Sequence, residues 1–402
     1  MITTAEATQA ISAAMPTFAT ETVPLAAARG RVLRQPVVAE RDQPPFDRVT
    51  MDGIAVQFEF LASGNRQFTI QGTQHAGDPV QTLTSSVHAI EIMTGAVLPH
   101  NSDCVIPVER IEVRNGVAIV EHGYQAERLQ FVHGQGSDYQ AGHEVLNAGR
   151  IITPMEVAII ASCGLEKVEV NSQPVVRIVS TGNELVPPGK PVAPHQVRLS
   201  NGPALVAMLT GQGFTRTEDE HLVDEPDLLR TRLGEILDES NVLVLSGGVS
   251  MGQADYVPQV LDELGVRLVF HKISQRPGKP MWFGIGADGQ AVFALPGNPV
   301  SSLVCCRQYV LPALFQAAGR QAPALENAVL TENVSFKAKL TCFMPVRLES
   351  GGDGRLLATP VPTNTSGDFA SLSGTDGYVE LKLEQDEFAA GSTVPLHRWI
   401  NP

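Results

Sequence analysis

The sequence LVLSGGVSMGQADYVPQVLDELG at residues 243–265 contains the pattern that decides the fold. Residues 242–245 are a run of four apolar side chains, which has the length and residue types of a buried parallel strand. The strand leads into Gly247 and Gly248, where a ligand can approach the backbone because glycine has no Cβ. Apolar residues then recur at helical spacing, which predicts a helix beginning near Asp255.

Two further turns have the same character. RPGKP at 276–280 places Arg276 and Lys279 on either side of a Pro-Gly turn. A second strand is predicted at 290–295, followed by Pro-Gly-Asn-Pro at 296–299 and a helix from about Val300. Loops between strand ends and helix N-termini are where open α/β sheets bind anions. These turns therefore predict a pocket for a ligand that carries phosphate or an oxyanion.

Strand and helix patterns alternate through the middle of the chain. A strand at 175–179 ends in STGNEL, and helices are predicted to follow Asn201 and Asp224, both interpreted as N-caps. Repeated βα units predict a doubly wound, mostly parallel sheet. We expect an α/β domain at 174–321.

The flanking regions differ from this pattern. Thr3 and Glu6 have capping-box spacing before a helix over 3–17, and an apolar helix is predicted over 154–163. Short alternating stretches separated by turns predict β-domains before and after the α/β domain. The sequence thus predicts a multidomain α/β plus β protein, with a discontinuous N-terminal linker domain, an inserted β-barrel-like domain and a C-terminal β-domain, at 1–44 with 138–173, at 45–137 and at 322–402.

Composition excludes several classes of protein. The 402 residues carry a net charge of −14, which argues against binding nucleic acid or anionic membranes. An anion site in such a chain needs local positive charge, and Lys272, Arg276 and Lys279 supply it. The five cysteines include no CxxC, which favours buried thiols in a reducing compartment. With no apolar run near ~18 residues and no secretory signal pattern, we expect a cytoplasmic protein.

Several motifs together resemble one family, the molybdopterin molybdenumtransferases, which include MoeA and the gephyrin E domain. The resemblance covers nearly the whole chain and is specific because many motifs occur in order. They are GRVL at 30–33, TMDG at 50–53, EIMTGAVLP at 91–99, STGNEL at 180–185, SGGVSMGQAD at 246–255, RPGKP at 276–280, ALPGNPVS at 294–301 and SGDFASL at 366–372.

The resemblance implies a four-domain subunit in an elongated homodimer, with the active site shared between subunits. The family reaction inserts molybdenum from molybdate into adenylylated molybdopterin and releases AMP, with a divalent cation such as Mg²⁺. The substrate sulfurs bind molybdenum, so the protein supplies no nucleophile. Electrostatic positioning and metal-assisted attack on phosphorus would supply most of the catalysis. Docking of a separate molybdopterin adenylyltransferase is a further expectation.

Residue roles follow from the same resemblance. It implies catalytic roles for Asp52, Glu184, Asp224 and Asp255, with Glu184 and Asp255 binding the metal. Asp52 and Thr94 would reach the partner subunit's site. Purely structural roles remain as alternatives for three of these residues: Asp52 as a turn aspartate, and Asp224 and Ser301 as helix caps. The implied cofactor-binding set is Thr94, Gly247, Gly248, Ser250, Arg276, Lys279, Pro296, Gly297, Asn298, Pro299, Ser301 and Ser366.

Five positions depart from the family pattern, and two of them are Ser137 in place of a glutamate and Ile54 where an aromatic residue is common. Asn183 stands where aspartate is usual, and His133 stands where a basic residue is usual, in FVHGQGSD at 131–138. Cys342 stands where an arginine is expected near the molybdate pocket, and we interpret it as a packed thiol. Arg347 is a poor substitute because residues five apart on a strand face opposite sides.

The departures leave three hypotheses open. The first is a working molybdenum-inserting enzyme. The second is a diverged non-catalytic paralogue that binds pterin or partner proteins. The third is a molybdopterin adenylyltransferase, against which the extra domains and SGDFASL argue. A P-loop enzyme is excluded because PGKP lacks the Ser or Thr that follows Gly-Lys.

Overall fold

The computed structural model of this chain describes residues 1–248, 256–321, 323–365 and 367–400. It contains two compact units. The first comprises 1–34, 149–153 and 167–402, and the second comprises 35–148 and 154–166. The finer four-domain division, with its boundaries, stays a prediction.

A six-stranded sheet forms the centre of the first unit. Its first four strands run parallel and the last two are antiparallel to their neighbours. In spatial order the strands are Thr217–Leu222, Val176–Thr181, Val242–Ser246, Ala291–Leu295, Trp282–Ile285 and Arg267–His271. The predicted strands at 242–245 and 290–295 are confirmed, and both are buried along their length.

Each face of this sheet packs against its own layer of helices. Val242 and Val244 belong to one apolar core, whereas Leu243 and Leu245 belong to the other, because successive strand residues point to opposite faces. This confirms the doubly wound fold. The helices of the α/β region are Asn201–Gly211, Pro226–Glu239, Val257–Glu263, Pro299–Cys305 and Leu311–Ala317, with a π-helical turn at Cys306–Val310.

Helix starts were only partly predicted. The N-terminal helix Thr4–Ala14 has the predicted capping box between Thr3 and Glu6. The N-cap assignments of Asn201 and Asp224 were wrong, since the caps are Ser200 and Glu225. Asn and Asp are preferred N-cap residues. Here both residues instead form hydrogen bonds with distant parts of the chain.

A closed five-stranded barrel forms the C-terminal region, so the predicted β-structure of this region is confirmed. Pairing of Thr341–Ser350 with Gly377–Leu381 closes it. Cys342 is buried inside and Arg347 is exposed, as their odd spacing predicts. The other barrel strands are Leu356–Pro360, Glu326–Leu330 and Thr393–Arg398, and short elements are Val334–Ser335, Phe369–Leu372 and Glu387–Phe388.

Smaller pairs complete the first unit. Thr20–Pro24 pairs with Lys167–Asn171, and Leu185–Val186 pairs with Val197–Arg198. The short strand Gln275–Arg276 runs parallel to the start of Thr341–Ser350, so the RPGKP loop leaves directly from the barrel. A short 3-10 helix lies at Leu25–Ala27.

The second unit is built on a six-stranded sheet. Its spatial order is Cys104–Pro107, Gly53–Val56, His88–Ile92, Gln67–Gln74, Val117–Val120 and Ile111–Arg114. Two-stranded pairs join Val37–Val38 to Glu144–Leu146 and Arg48–Val49 to Val132–His133. Its helices are Phe58–Ala62, Val108–Arg110 and Pro154–Ser162, the last as predicted.

All five cysteines are free and buried, which confirms the packed thiols expected from their number and spacing. Burial raises the pKa of the Cys342 thiol to about 12. Among the described residues, no helix is both long enough and apolar enough to cross a membrane.

Candidate active site

A cavity of about 700 Å³ opens at the carboxyl ends of the parallel strands in the first unit. The predicted turns converge there, although they are separated by up to about a hundred residues in sequence. The predicted site residues that line it are Glu184, Asp224, Gly247, Gly248, Pro296, Gly297, Asn298 and Pro299. The arrangement follows from parallel pairing, which places strand ends and their loops at one edge of the sheet.

The turn at Gly247 and Gly248 requires glycine. Both residues have positive φ, +104° and +67°. A Cβ on Gly247 would lie 2.8 Å from the carbonyl oxygen of Thr181, and one on Gly248 would lie 2.5 Å from Val257 Cγ2. The amide of Gly247 donates to Leu295 O at 3.2 Å, so the turn is fixed against the neighbouring strand. Side chains are thereby excluded from this part of the wall.

Asn201 is a site residue that sequence reasoning assigned to another role. Its side-chain nitrogen donates to Ser246 Oγ and to Gly297 O, both at 2.8 Å. The orientation of the amide is set by chemistry, because a carbonyl oxygen can only accept. Asn201 therefore ties two glycine-bearing turns together, and it lines the cavity. Its partners lie 45 and 96 residues away in sequence, so no local pattern indicated this role.

Two hydroxyl side chains were also missed. Ser180 and Thr181 lie at the end of a buried strand, line the cavity and are 1% and 4% exposed. Their oxygens have no hydrogen-bond partner among the described residues. Buried polar groups normally have partners, so these hydroxyls are suited to contact a bound ligand. Their signal was the STG sequence at the strand end.

The acidic side of the cavity is formed by Glu184 and Asp224. Asn183 Oδ1 accepts a hydrogen bond from the backbone amide of Asp224 at 3.1 Å, which links the two loops that carry the acids. His221 Nε2 donates to Gly182 O at 2.8 Å and steadies the first of these loops. Asn183 supplies the same kind of acceptor oxygen as the aspartate expected at this position.

The two cations of RPGKP occupy different places. Arg276 lines a second cavity of about 180 Å³, together with Cys342, Thr363 and Thr365. Pro280 lines the larger cavity, whereas Lys279 is exposed and lines neither of them. Arg276 is in register with Cys342, so this cavity has a guanidinium although Cys342 replaces the expected arginine.

Arg276 and Lys279 make no ion pair or side-chain hydrogen bond with other residues that the structure describes. The segments 276–280 and 363–369 each contribute residues to both cavities. Ser301 is 4% exposed within Pro299–Cys305 and is not among the lining residues of the larger cavity. Its assignment as a ligand contact stays a prediction.

In the second unit, Asp52 and Thr94 are brought together. Asp52 Oδ1 accepts from the amide of Thr94 at 2.6 Å and from its hydroxyl at 2.7 Å. These bonds lower the pKa of Asp52 below its ordinary value, and the backbone bond has the largest effect. The carboxylate is exposed and stays ionised at neutral pH. This contact agrees with the structural alternative, in which Asp52 is a turn aspartate.

His133 also has defined partners in the second unit. Its Nε2 lies 3.0 Å from Asp138 Oδ1, and Arg48 Nη2 lies 3.2 Å from Nδ1. A carboxylate accepts and a guanidinium donates, so Nε2 donates to Asp138 and Nδ1 accepts from Arg48. Arg48 thus brings a cation beside the position where the family pattern has a basic residue.

Three predicted site residues, Ser250, Asp255 and Ser366, lie outside the described residues. Within the described ranges, no group of three or more His, Cys, Asp or Glu side chains is arranged to hold a metal ion. Among the described residues, the carboxylates that line the larger cavity are those of Glu184 and Asp224. One or two carboxylates with substrate phosphates are the usual ligands of Mg²⁺, so the donor set fits that ion.

Comparisons with known proteins agree along the whole chain. Residues 2–164 match the MoeA N-terminal region (domain I and II), 177–316 a probable molybdopterin binding domain, and 327–399 the MoeA C-terminal region (domain IV).

A molybdopterin molybdenumtransferase of Synechocystis sp. is 38% identical and covers 99% of this chain and 100% of its own. One of Synechococcus elongatus is 31% identical, covering 94% of each. The crystal structure of a molybdopterin biosynthesis MoeA protein from Pyrococcus horikosii has a TM-score of 0.82, at 30% identity and full coverage of both chains. This chain therefore belongs to the molybdopterin molybdenumtransferase family.

Proposed function

We propose that this protein is a molybdopterin molybdenumtransferase that acts in molybdenum cofactor biosynthesis. It inserts molybdenum from molybdate into adenylylated molybdopterin and releases AMP. The observation that carries the proposal is the convergence of the family's glycine and proline turns on one cavity of about 700 Å³. A cavity of that volume accommodates a ligand of nucleotide size.

The chain's own residues bind and orient the substrates. Backbone at Gly247, Gly248 and Gly297 forms a wall that a nucleotide phosphate can approach closely. The unpartnered hydroxyls of Ser180 and Thr181 donate to ligand oxygens. Arg276, in the second cavity, provides the positive charge that holds an oxyanion.

A divalent cation belongs to the proposal. Glu184 and Asp224 would hold Mg²⁺ together with substrate phosphate oxygens, and Asp255 is the further acid implied by the family resemblance. When bound, Mg²⁺ supplies Lewis acidity at the phosphoanhydride. The protein residues hold the two acidic loops at a fixed separation through the contact of Asn183 with Asp224.

The non-catalytic alternative was motivated by the missing arginine at Cys342 and the Asp-to-Asn change at Asn183, and these departures, like that at His133, have local counterparts. Asn183 still offers an acceptor oxygen, Arg276 stands beside Cys342, and Arg48 stands beside His133. These contacts favour retained catalysis. The adenylyltransferase alternative is disfavoured because the relatives named molybdopterin molybdenumtransferase align over the whole chain.

We further propose a homodimer in which Asp52 and Thr94 act in the partner's site. The exposure and pre-ordering of the Asp52 carboxylate support this role. A cytoplasmic location is supported by the five free, buried thiols. Docking of a molybdopterin adenylyltransferase would deliver the adenylylated substrate.

The test is to incubate purified protein with adenylylated molybdopterin, molybdate and Mg²⁺ and to follow AMP. We expect AMP release that requires molybdate. Tight binding of the nucleotide without turnover would favour the non-catalytic paralogue, and consumption of ATP with free molybdopterin would favour the adenylyltransferase. Either result contradicts the proposal.

A further inference from the structure

Three buried side chains lie beneath the RPGKP loop and have no role in the function described above. Gln275 is 0% exposed, Cys305 is 0% exposed and Tyr309 is 2% exposed. Gln275 directly precedes Arg276, whereas Cys305 and Tyr309 come from the helical segment 299–317. An amide and a phenol are expensive to bury without partners, so their contacts are informative.

The contacts form a chain that ends on the loop backbone. The Tyr309 hydroxyl donates to Gln275 Oε1. The Gln275 side-chain nitrogen donates to Pro277 O at 3.0 Å and to Cys305 Sγ at 3.5 Å. The thiol of Cys305 in turn donates weakly to Gly278 O at 3.7 Å. Two successive carbonyls between Arg276 and Lys279 are thus held from below.

The helix that carries Tyr309 is shaped for this contact. Residues Cys306–Val310 form a π-helical turn between two α-helical segments. Such turns are rare and shift side chains relative to the regular helix. Here the turn contains Tyr309, whose hydroxyl reaches Gln275 in the interior of the unit.

The loop fits closely over the three side chains. Gly278 has φ +95°, and a Cβ there would lie 2.6 Å from the Gln275 side-chain nitrogen and in collision with Cys305 Sγ. The loop is therefore held in two ways. Its carbonyls at Pro277 and Gly278 accept hydrogen bonds, and Gly278 packs closely against Gln275 and Cys305. If these side chains served packing alone, apolar residues of similar volume would suffice, and the two polar groups would not have to be buried.

We propose that Gln275, oriented by Tyr309, is a positioning residue that fixes the loop carrying Arg276 and thereby its hold on the oxyanion substrate. This inference rests on the proposed function for the identity of the anion. It does not rest on it for the placement of the loop. Gln275 and Tyr309 act through the loop backbone and not by contact with the ligand.

The test compares two matched substitutions. Tyr309→Phe removes the hydroxyl that holds Gln275. Tyr378→Phe is the control, because Tyr378 is also buried and its hydroxyl donates to the oxygen of another glutamine, Gln308, at 2.8 Å. Each variant loses one side-chain hydrogen bond made by a buried tyrosine. We expect the KM for molybdate to rise about tenfold in Tyr309→Phe, with kcat little changed, and to stay unchanged in Tyr378→Phe.

A second readout does not depend on activity. Hydrogen exchange of the amides in 276–281 should accelerate in Tyr309→Phe and not in Tyr378→Phe. Equal KM values and equal exchange in the two variants would overturn the inference. If the wild type releases no AMP but exchange differs as expected, the proposed function fails and the positioning role stands.

Two further pairs of variants guard against misfolding. In a Gln275→Met background, Tyr309→Phe should have no additional effect on KM, since Tyr309 acts through Gln275. Gly278→Ala should disturb the loop as Tyr309→Phe does. Gly289→Ala is its control, because Gly289 has a similar φ of +90° and open space around its Cα. Additive effects in the first pair, or identical KM values in the second, would contradict the proposal.

Discussion

Asn201 links two turns that lie 45 and 96 residues further along the chain. Its two amide hydrogens are both used, one on Ser246 and one on Gly297, so no smaller side chain can replace it. Because the two turns form the wall of the larger cavity, a change at Asn201 affects the site through its geometry.

We predict that Asn201→Ala raises the KM for adenylylated molybdopterin about tenfold, since each 1.4 kcal/mol of lost interaction corresponds to a factor of ten. Steady-state assays of AMP release measure this. Asn171→Ala is the control. Asn171 is buried and does not line the cavity, and its Oδ1 accepts a hydrogen bond from the backbone amide of Val32 at 2.8 Å. If the Asn201→Ala protein is fully folded and has the wild-type KM, Asn201 does not maintain the geometry of the cavity.

Glu184 and Asp224 give a second prediction for single residues. Glu184→Gln and Asp224→Asn should each raise the Mg²⁺ concentration required for half-maximal AMP release by ~10-fold or more, since a ligand oxygen loses its charge. Glu218→Gln is the control, because Glu218 is an exposed acid that pairs with Arg177. An unchanged Mg²⁺ requirement in both variants would remove these acids from the metal site.

At the scale of elements, the strand Val242–Ser246 is the part of the fold that local sequence specifies best. Four consecutive apolar residues have no amphipathic alternative, and the strand is buried between two parallel neighbours. Helix caps were predicted less well. The capping box of Thr3 and Glu6 is local and was confirmed, whereas Asn201 makes distant contacts that no local pattern encodes.

We predict that Leu245→Ala lowers the free energy of unfolding by about 2–5 kcal/mol, because it leaves a cavity in a fully buried core. Leu268→Ala, in a residue that is 51% exposed, should change it by no more than about 0.5 kcal/mol. Urea unfolding measures both. Equal losses in the two variants would contradict the assignment of the central strand.

At the scale of the whole molecule, the proposed homodimer predicts complementation. Asp52→Ala and Glu184→Ala should each be inactive alone, yet an equal mixture allowed to exchange subunits should regain about a quarter of wild-type activity. Half of the dimers would then be mixed, and one of the two sites in each would be intact. No recovery after demonstrated subunit exchange would show that both residues act in the same subunit's site. A chain that is monomeric in solution would contradict the homodimer itself.

The sequence by itself determined the strands, the glycine turns, the barrel-like β-regions and the family, because periodicity and turn chemistry are local properties of the chain. The tertiary structure decided which side chains meet. It brought Asn201 to Gly297, Tyr309 to Gln275 and Arg276 to Cys342, and it directed Lys279 elsewhere. Such contacts join residues far apart in sequence, and only the packing of whole elements fixes their distance and direction.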